Sequence, residues 1–413
     1  MPTSASANAP ALPAIGSIDH GHRTGPRLVA IDYLRSFITL LVVAHHAVLA
    51  YHPYAPSPAS FSGENLLWSA FPIVDARHWA GVDLFVGFND TFFMSLMFLL
   101  SGLFVWPGIQ RKGAGAYLRE RGRRLGVPFL VSVLVLAPLA YYPAWLQRGG
   151  APGLGGFAQA WLGLGVWPAG PAWFLWVLLA FDALAALLWR IAPGAVGAAG
   201  KFLATRSPAA FFGWTALIAV AGYVPLAASV DTSAWSSFGP YFVQTSRIAL
   251  YLGFFAIGVG VGAWGVERSV IAADDGLAHR WLLWSQLAPG AFFLLVALFI
   301  TLLTLGARGQ SITGLETATS IAFAVSCTAS SIAFLSLFLR FARKRRAVFD
   351  SLARNAYGIY LVHYVVVTWL QFSLLPADWP GALKGSVVCI TAWASSWAIA
   401  ATLRRIGWIA RII

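Results

Sequence analysis

Residues 27–51, RLVAIDYLRSFITLLVVAHHAVLAY, are the first long apolar run of the chain, and they carry Asp32, Arg35, His45 and His46. Ionisable side chains in a membrane-spanning helix are expensive, so a helix that keeps them needs a reason to do so. Arg35 and His46 are separated by about three helical turns, which puts them on one face with about 16 Å of rise between them. His45 points about 100° away from His46, and it reads as a packing or supporting group. A cation near one membrane surface and an imidazole deep in the bilayer, on one stripe, is the arrangement to explain.

Composition extends this reading to the whole chain. Of its 413 residues, 59% are hydrophobic and 10% charged, against a globular norm of roughly 25% charged. Mean hydropathy is +0.72, and several runs approach or exceed the roughly 20 residues that cross a bilayer. The runs are continuous rather than alternating, which disfavours a β-barrel. The net charge of +13 invites a nucleic-acid reading, but the basic residues sit in short loops between apolar runs, as in a membrane protein. Cys327 and Cys389 both fall inside apolar runs and read as small buried hydrophobes. No metal-ligand spacing is present, so no metal is expected.

Ten spans follow, at 28–51, 86–106, 125–146, 171–190, 209–228, 245–264, 281–305, 318–340, 355–373 and 385–403. The expected fold is therefore an all-α polytopic membrane bundle. Residues 1–26, rich in Ala, Pro and Ser, read as a disordered cytoplasmic tail rather than a signal peptide; residues 27–413 form the transmembrane domain. Residues 151–171, APGLGGFAQAWLGLGVWPAGP, are too broken by Gly and Pro to span, and read as an outer loop with a surface or re-entrant helix. With the amino terminus inside, the loops 1–27, 107–124, 191–208, 265–280, 341–354 and 404–413, with the boundary residues Arg190 and Arg340, hold 22 of the 28 basic residues. That asymmetry predicts both termini on the cytoplasmic side.

Each candidate residue has a bland reading beside a functional one. His46 suits general-base or nucleophilic work, because imidazole titrates nearest neutrality, yet a histidine bonded to a carbonyl can also simply pack helices. Arg35 lies one turn after Asp32, so the pair is either an interfacial salt bridge or leaves Arg35 as an anchor for an anionic ligand. Residues 111–124, RKGAGAYLRERGRR, hold six basic residues against one Glu. This is ordinary topology anchoring unless Arg121 and Arg124, three apart on a helix, grip phosphate, for which guanidinium is suited; Arg119 belongs to the same segment. Residues 340–346, RFARKRR, look like plain anchoring and lipid headgroup contact. Asp90, near the outer end of the second span, either orients His46 as the carboxylate of a dyad or faces water. Ser101, followed by Gly102, permits close helix approach first of all. Asp182 and His363 are the other midspan ionisables, and each fits either a polar core shared with His46 or plain packing.

These segments, taken in order, resemble the membrane acyltransferase-3 superfamily, enzymes that O-acylate bacterial polysaccharides and lipid-linked sugars. The match is carried by IDYLRSFITLLVVAHHAVLAY (31–51), with Arg35, ten intervening residues and His46; by FFMSLMFLLSGLFVW (92–106); by YLRERGRRLGVPF (117–129); and by NAYGIYLVHYVVV (355–367). PAWFLWVLL (171–179) adds a weaker element. The resemblance implies a multi-pass protein of the bacterial inner membrane. His46 would be the essential histidine, as base or transient acyl acceptor. Arg35 with Arg119, Arg121 and Arg124 would hold the phosphates of acyl-CoA, acetyl-CoA by default, as co-substrate. The acceptor would be a glycan or lipid-linked sugar, handled among membrane lipids and with no nucleic-acid partner. The Trp-rich layout without an added soluble domain is similar to the branch that modifies periplasmic glucans. The rival from another class is a transporter or flippase whose charged residues line a path; it predicts internal repeat symmetry, and none is evident.

Overall fold

The computed structural model describes residues 26–55, 71–165, 168–272 and 276–413. The expected tail at 1–26 lies almost wholly outside the described residues. Every one of the ten expected spans falls on a long helix. These are α1 (Pro26–Leu49), α2 (Val82–Gly102) with its continuation α3 (Val105–Lys112), α4 (Ala114–Gln147), α6 (Trp173–Ile191), α8 (Pro208–Ser229), α9 (Ile248–Trp264), α10 (Trp281–Ala307), α11 (Thr313–Phe341), α12 (Ala347–Ser373) and α13 (Gly381–Leu403). Shorter elements connect them: α5 (Leu154–Leu162), α7 (Pro193–Ala204), a hairpin of β1 (Trp235–Phe238) and β2 (Tyr241–Gln244), and α14 (Gly407–Ala410). The surface helix expected between 151 and 171 is α5; α7 and the hairpin stand where plain loops were expected.

Among the described residues, nine of the long helices are apolar and long enough to cross a membrane. The tenth, α12, has 27 residues and the length to cross. Its hydropathy is diluted because Asn355, His363, Thr368 and Gln371 occupy its buried face. At the other extreme, α10 turns Leu283, Phe293, Leu294, Phe299, Ile300 and Leu303 outward. Apolar side chains facing outward are what a lipid-facing helix requires, since lipid imposes no penalty on them.

Small residues set the closest contacts. Gly102 of α2 meets Phe255 and Gly258 of α9, and Gly262 of α9 meets Leu103 just beyond α2; a Cβ at any of the three glycines would collide with backbone. The opposite side of α9 repeats the device, with Gly260 against Gly200 of α7. Backbones that approach this closely gain dispersion contacts that larger side chains would forbid.

Helix α4 shows how the bundle copes with proline. It contains two π-turns, Gly122–Gly126 and Ser132–Leu136. Pro128 has no N–H, so the Arg124 carbonyl four residues earlier lacks its helical donor; the Tyr357 hydroxyl of α12 donates to it at 2.5 Å. Pro143 frees the Leu139 carbonyl in the same way, and Trp369 Nε1, also on α12, donates to it at 2.9 Å. A freed backbone carbonyl in an apolar medium must find a partner, and two of the three prolines of α4, Pro128 and Pro143, are thereby converted into stitches between α4 and α12; the third, Pro138, stands just after the second π-turn.

Helix α1 sits at the centre. It packs against α2, α11, α12 and α13, and Leu34 and Ile38 are fully buried. Its register against α12 is pinned at two levels. Near its start, the Tyr33 hydroxyl donates to Asp350 at 2.8 Å. Near its end, Gln371 Nε2 donates to the His46 and Ala47 carbonyls at 2.9 and 3.1 Å.

Candidate active site

The α1–α12 register brings His46 and His363 together. His363 is completely buried, and its Nδ1 lies 2.6 Å from the Tyr360 carbonyl. A carbonyl only accepts, so Nδ1 carries the proton and Nε2 of His363 is a bare lone pair. That lone pair faces His46 Nδ1 at 3.3 Å. His46 Nδ1 is also 2.8 Å from the Val42 carbonyl one turn back, so it too must be the protonated nitrogen. By elimination His46 Nε2 holds the free lone pair, and no described residue hydrogen-bonds to it. The ring is held edge-on by Tyr364, with centroids 5.2 Å apart, and Tyr364 is itself backed by Tyr141. Between α4 and α12, Ser132, Pro171, Tyr360 and Tyr364 line a small cavity of 20 Å³, room for about one water.

This is a one-directional hydrogen-bond chain: His46 Nδ1–H donates towards His363 Nε2, His363 Nδ1–H donates to the Tyr360 carbonyl, and His46 Nε2 is left as an open basic nitrogen. If Nε2 takes a proton, the imidazolium still donates from Nδ1 to the Val42 carbonyl and His363 Nε2. Neutral acceptors thus orient the ring and stabilise its cation, the task that a carboxylate performs in a catalytic triad. His45 points elsewhere, onto Phe93 with ring centroids 5.3 Å apart.

The dyad expected between His46 and Asp90 is not formed. Asp90 Oδ2 accepts from Arg247 at 2.6 Å, and its backbone carbonyl takes a second guanidinium N–H at 2.9 Å. Arg247, at the start of α9, is almost fully buried, so a carboxylate beside it is the least costly neighbour the helix could supply. Asp182 is likewise occupied: it is fully buried and accepts from the Tyr117 hydroxyl at 2.8 Å and from Arg121 Nε at 2.6 Å. Ser101 is half-buried beside the tight Gly102 contact and has no side-chain hydrogen bond among the described residues.

Arg35 behaves differently. It is exposed, and among the described residues its guanidinium forms no ion pair or hydrogen bond. Asp32, Arg121 and Arg124 are close enough for their charges to act on it. Arg124 is also exposed and without an ion pair among the described residues, as is Arg119. Tyr357 lies within electrostatic reach of both Arg121 and Arg124. One end of the bundle therefore gathers guanidinium groups from α1 and α4 whose donors are largely unspent, with Asp182 taking one of them. Beyond the other end of α1, His52 packs between Tyr54 and Phe71, and burial holds its pKa below the ordinary imidazole value.

Sequence reasoning missed Arg247, Gln371 and Tyr364. Arg247 was visible as a charge at a span boundary, but its tie to Asp90 crosses 157 positions of sequence. Gln371 carries no motif, and Tyr364, though it follows His363 in NAYGIYLVHYVVV, is not singled out by that segment.

No curated protein and no solved structure matches the chain. The family model for the acyltransferase domain of the acyltransferase-3 type matches residues 28–401, from the start of α1 nearly to the end of α13. The chain is a multi-pass membrane protein that belongs to the acyltransferase-3 family.

Proposed function

We propose that this acyltransferase moves an acyl group, acetyl by default, from acyl-CoA to a hydroxyl of an extracytoplasmic glycan or lipid-linked sugar, with His46 as general base. The observation that carries the reading is the hydrogen-bond chain that engages His46 Nδ1 and leaves Nε2 unbonded, at the far end of the same helix as the unpaired Arg35. The positive-inside charge pattern supports a cytoplasmic placement of the arginine end in a bacterial inner membrane. Succinyl is a further candidate group, in keeping with the likeness to the glucan-modifying branch.

The donor's phosphates bind Arg35, with Arg124 and Arg119 contributing further charge-assisted hydrogen bonds. Arg121 is positioned by Asp182 and adds field more than free donors. The pantetheine arm then spans the roughly 16 Å of rise from Arg35 to His46. Holding the remote phosphates fixes the thioester carbonyl against the incoming hydroxyl, an entropic gain made before the chemistry begins. His46 Nε2 removes the hydroxyl proton as the oxygen attacks the thioester carbon. The tetrahedral intermediate collapses with cleavage of the C–S bond. The proton on His46 passes to the departing thiolate, so ester and free CoA leave and the histidine is regenerated. His363 and the Val42 carbonyl stabilise the transient imidazolium through Nδ1.

The reading is tested with purified protein in nanodiscs, acetyl-CoA and an oligosaccharide acceptor, following release of free thiol and formation of the sugar ester. The wild type forms both products in equal amounts. Arg35→Ala raises the acyl-CoA KM, and His46→Ala lowers kcat. Transfer by both variants at the wild-type rate would overturn the mechanism.

A further inference from the structure

At the end of the bundle away from the arginines, two stretches of chain border an open cleft of 670 Å³, lined by Arg77, His78, Trp79, Asp378 and Trp379. The volume falls within the range of about 300–1,000 Å³ usual for small-molecule sites. One wall, residues 76–80, is fastened to the end of α1: Asp75 donates its N–H to the Ala50 carbonyl at 2.9 Å, and Trp79 donates to the Tyr51 carbonyl at 2.7 Å. Tyr51 lies just beyond the end of α1, five residues after His46. The other wall, residues 378–382, leads from α12, which carries His363, into α13.

The two walls are locked together. Lys384 and Asp75 form an ion pair at 2.7 Å, with side chains 0% and 3% exposed. A buried pair of that kind brings little net stability and serves to fix register. Gly381 lies so close to the Arg77 and His78 carbonyls that any Cβ there would collide with them. Arg77 and Asp378 pair across the rim. The cleft is a preformed frame rather than a chance gap.

Its chemistry is specific. Two indoles offer flat apolar faces, which match the C–H faces of a pyranose ring. Arg77, Asp378 and His78 offer planar donors and acceptors suited to hydroxyls. The single guanidinium is balanced by the single carboxylate, so the lining favours a neutral ligand over an anion. We infer that this cleft is the acceptor site, and that it binds a neutral sugar or short oligosaccharide against Trp79 and Trp379, next to the helix end that carries His46. Presentation of a hydroxyl to His46 rests on the acyl-transfer reading above; saccharide binding by the cleft does not.

The test uses the full chain in nanodiscs, free of glycosidic detergent, which would compete. Neutral gluco-oligosaccharides of one to four units, the same sugars as alkyl glycosides, and matched uronic-acid oligosaccharides are titrated by calorimetry. The variants are Trp379→Ala, at a residue that is 43% exposed, and Asp378→Asn. Neutral saccharides saturate the wild type, and Trp379→Ala weakens them by about tenfold, the scale of a lost aromatic contact, while acyl-CoA affinity is unmoved. Tighter binding of the alkyl glycosides assigns a lipid-linked acceptor; equal binding assigns a free glycan. The inference fails if no neutral sugar saturates the wild type, if the acidic sugars bind more tightly, or if both variants bind as the wild type does. A cleft that binds sugar in a protein whose His46→Ala variant still transfers would remove the mechanism and leave this site standing.

Discussion

The acidic residues of α2 and α6 and the basic residues of α1 are all ionisable groups inside apolar helices, but they are bonded in opposite ways. Asp182 accepts from Tyr117 and Arg121, and Asp90 is held by Arg247. Among the described residues, the Arg35 guanidinium has no bonded partner, and His46 leaves Nε2 open while its other nitrogen is doubly engaged. A saturated pair spends its interaction energy on holding helices together. An unsaturated group, kept in a membrane helix at some cost, has interaction energy left for a ligand. On the proposed mechanism the contrast sorts the charges: the carboxylates hold helices together, and the stripe on α1 is the working surface.

The largest expected effect is on His46. His46→Ala should lower the transfer rate by about 10²–10⁴-fold, the usual contribution of a positioned base, with little change in unfolding temperature. Asp182→Ala should do the reverse. It leaves Arg121 and the Tyr117 hydroxyl without their acceptor, at a cost of about 3–5 kcal/mol, read as a lower unfolding temperature. Asp182→Ala as stable as the wild type would break the contrast from the structural side. Arg35→Ala should weaken acyl-CoA binding by about ten- to a hundredfold, the value of charge-assisted hydrogen bonds to phosphate, and leave stability unaltered. His363→Gln keeps an acceptor near His46 Nδ1 and should retain more activity than His363→Ala, a comparison that isolates orientation from bulk. The smallest effect is Tyr357→Phe, which orphans the Arg124 carbonyl and should cost about 1 kcal/mol of stability.

How much of this was legible in the sequence depends on the distance over which each signal acts. Apolar runs are local, and they located every long helix, including α12 with its polar face. The Arg35–His46 spacing is local too, because a single helix fixes it. Pairings between helices are not local. Nothing in the run around Asp90 says that Arg247 will claim it, and nothing in NAYGIYLVHYVVV says that His363 will face His46. Helix α7 was invisible for another reason: 193–204, PGAVGAAGKFLA, is short and rich in Ala and Gly, and the face it buries, Val196, Gly200, Leu203 and Ala204, is too small to read as a span. The prolines of α4 sit between these cases. Their freed carbonyls were predictable from Pro128 and Pro143, but the donors, Tyr357 and Trp369, lie on a helix more than 200 residues away.

The most direct measurement sets His46→Ala beside Asp90→Ala in one acyl-transfer assay, with the unfolding temperature of each protein recorded. The account predicts a stable His46→Ala protein that scarcely transfers, and an Asp90→Ala protein whose loss of activity follows its loss of stability. A His46→Ala protein that transfers at the wild-type rate, or an Asp90→Ala protein that is fully stable and inactive, would contradict it.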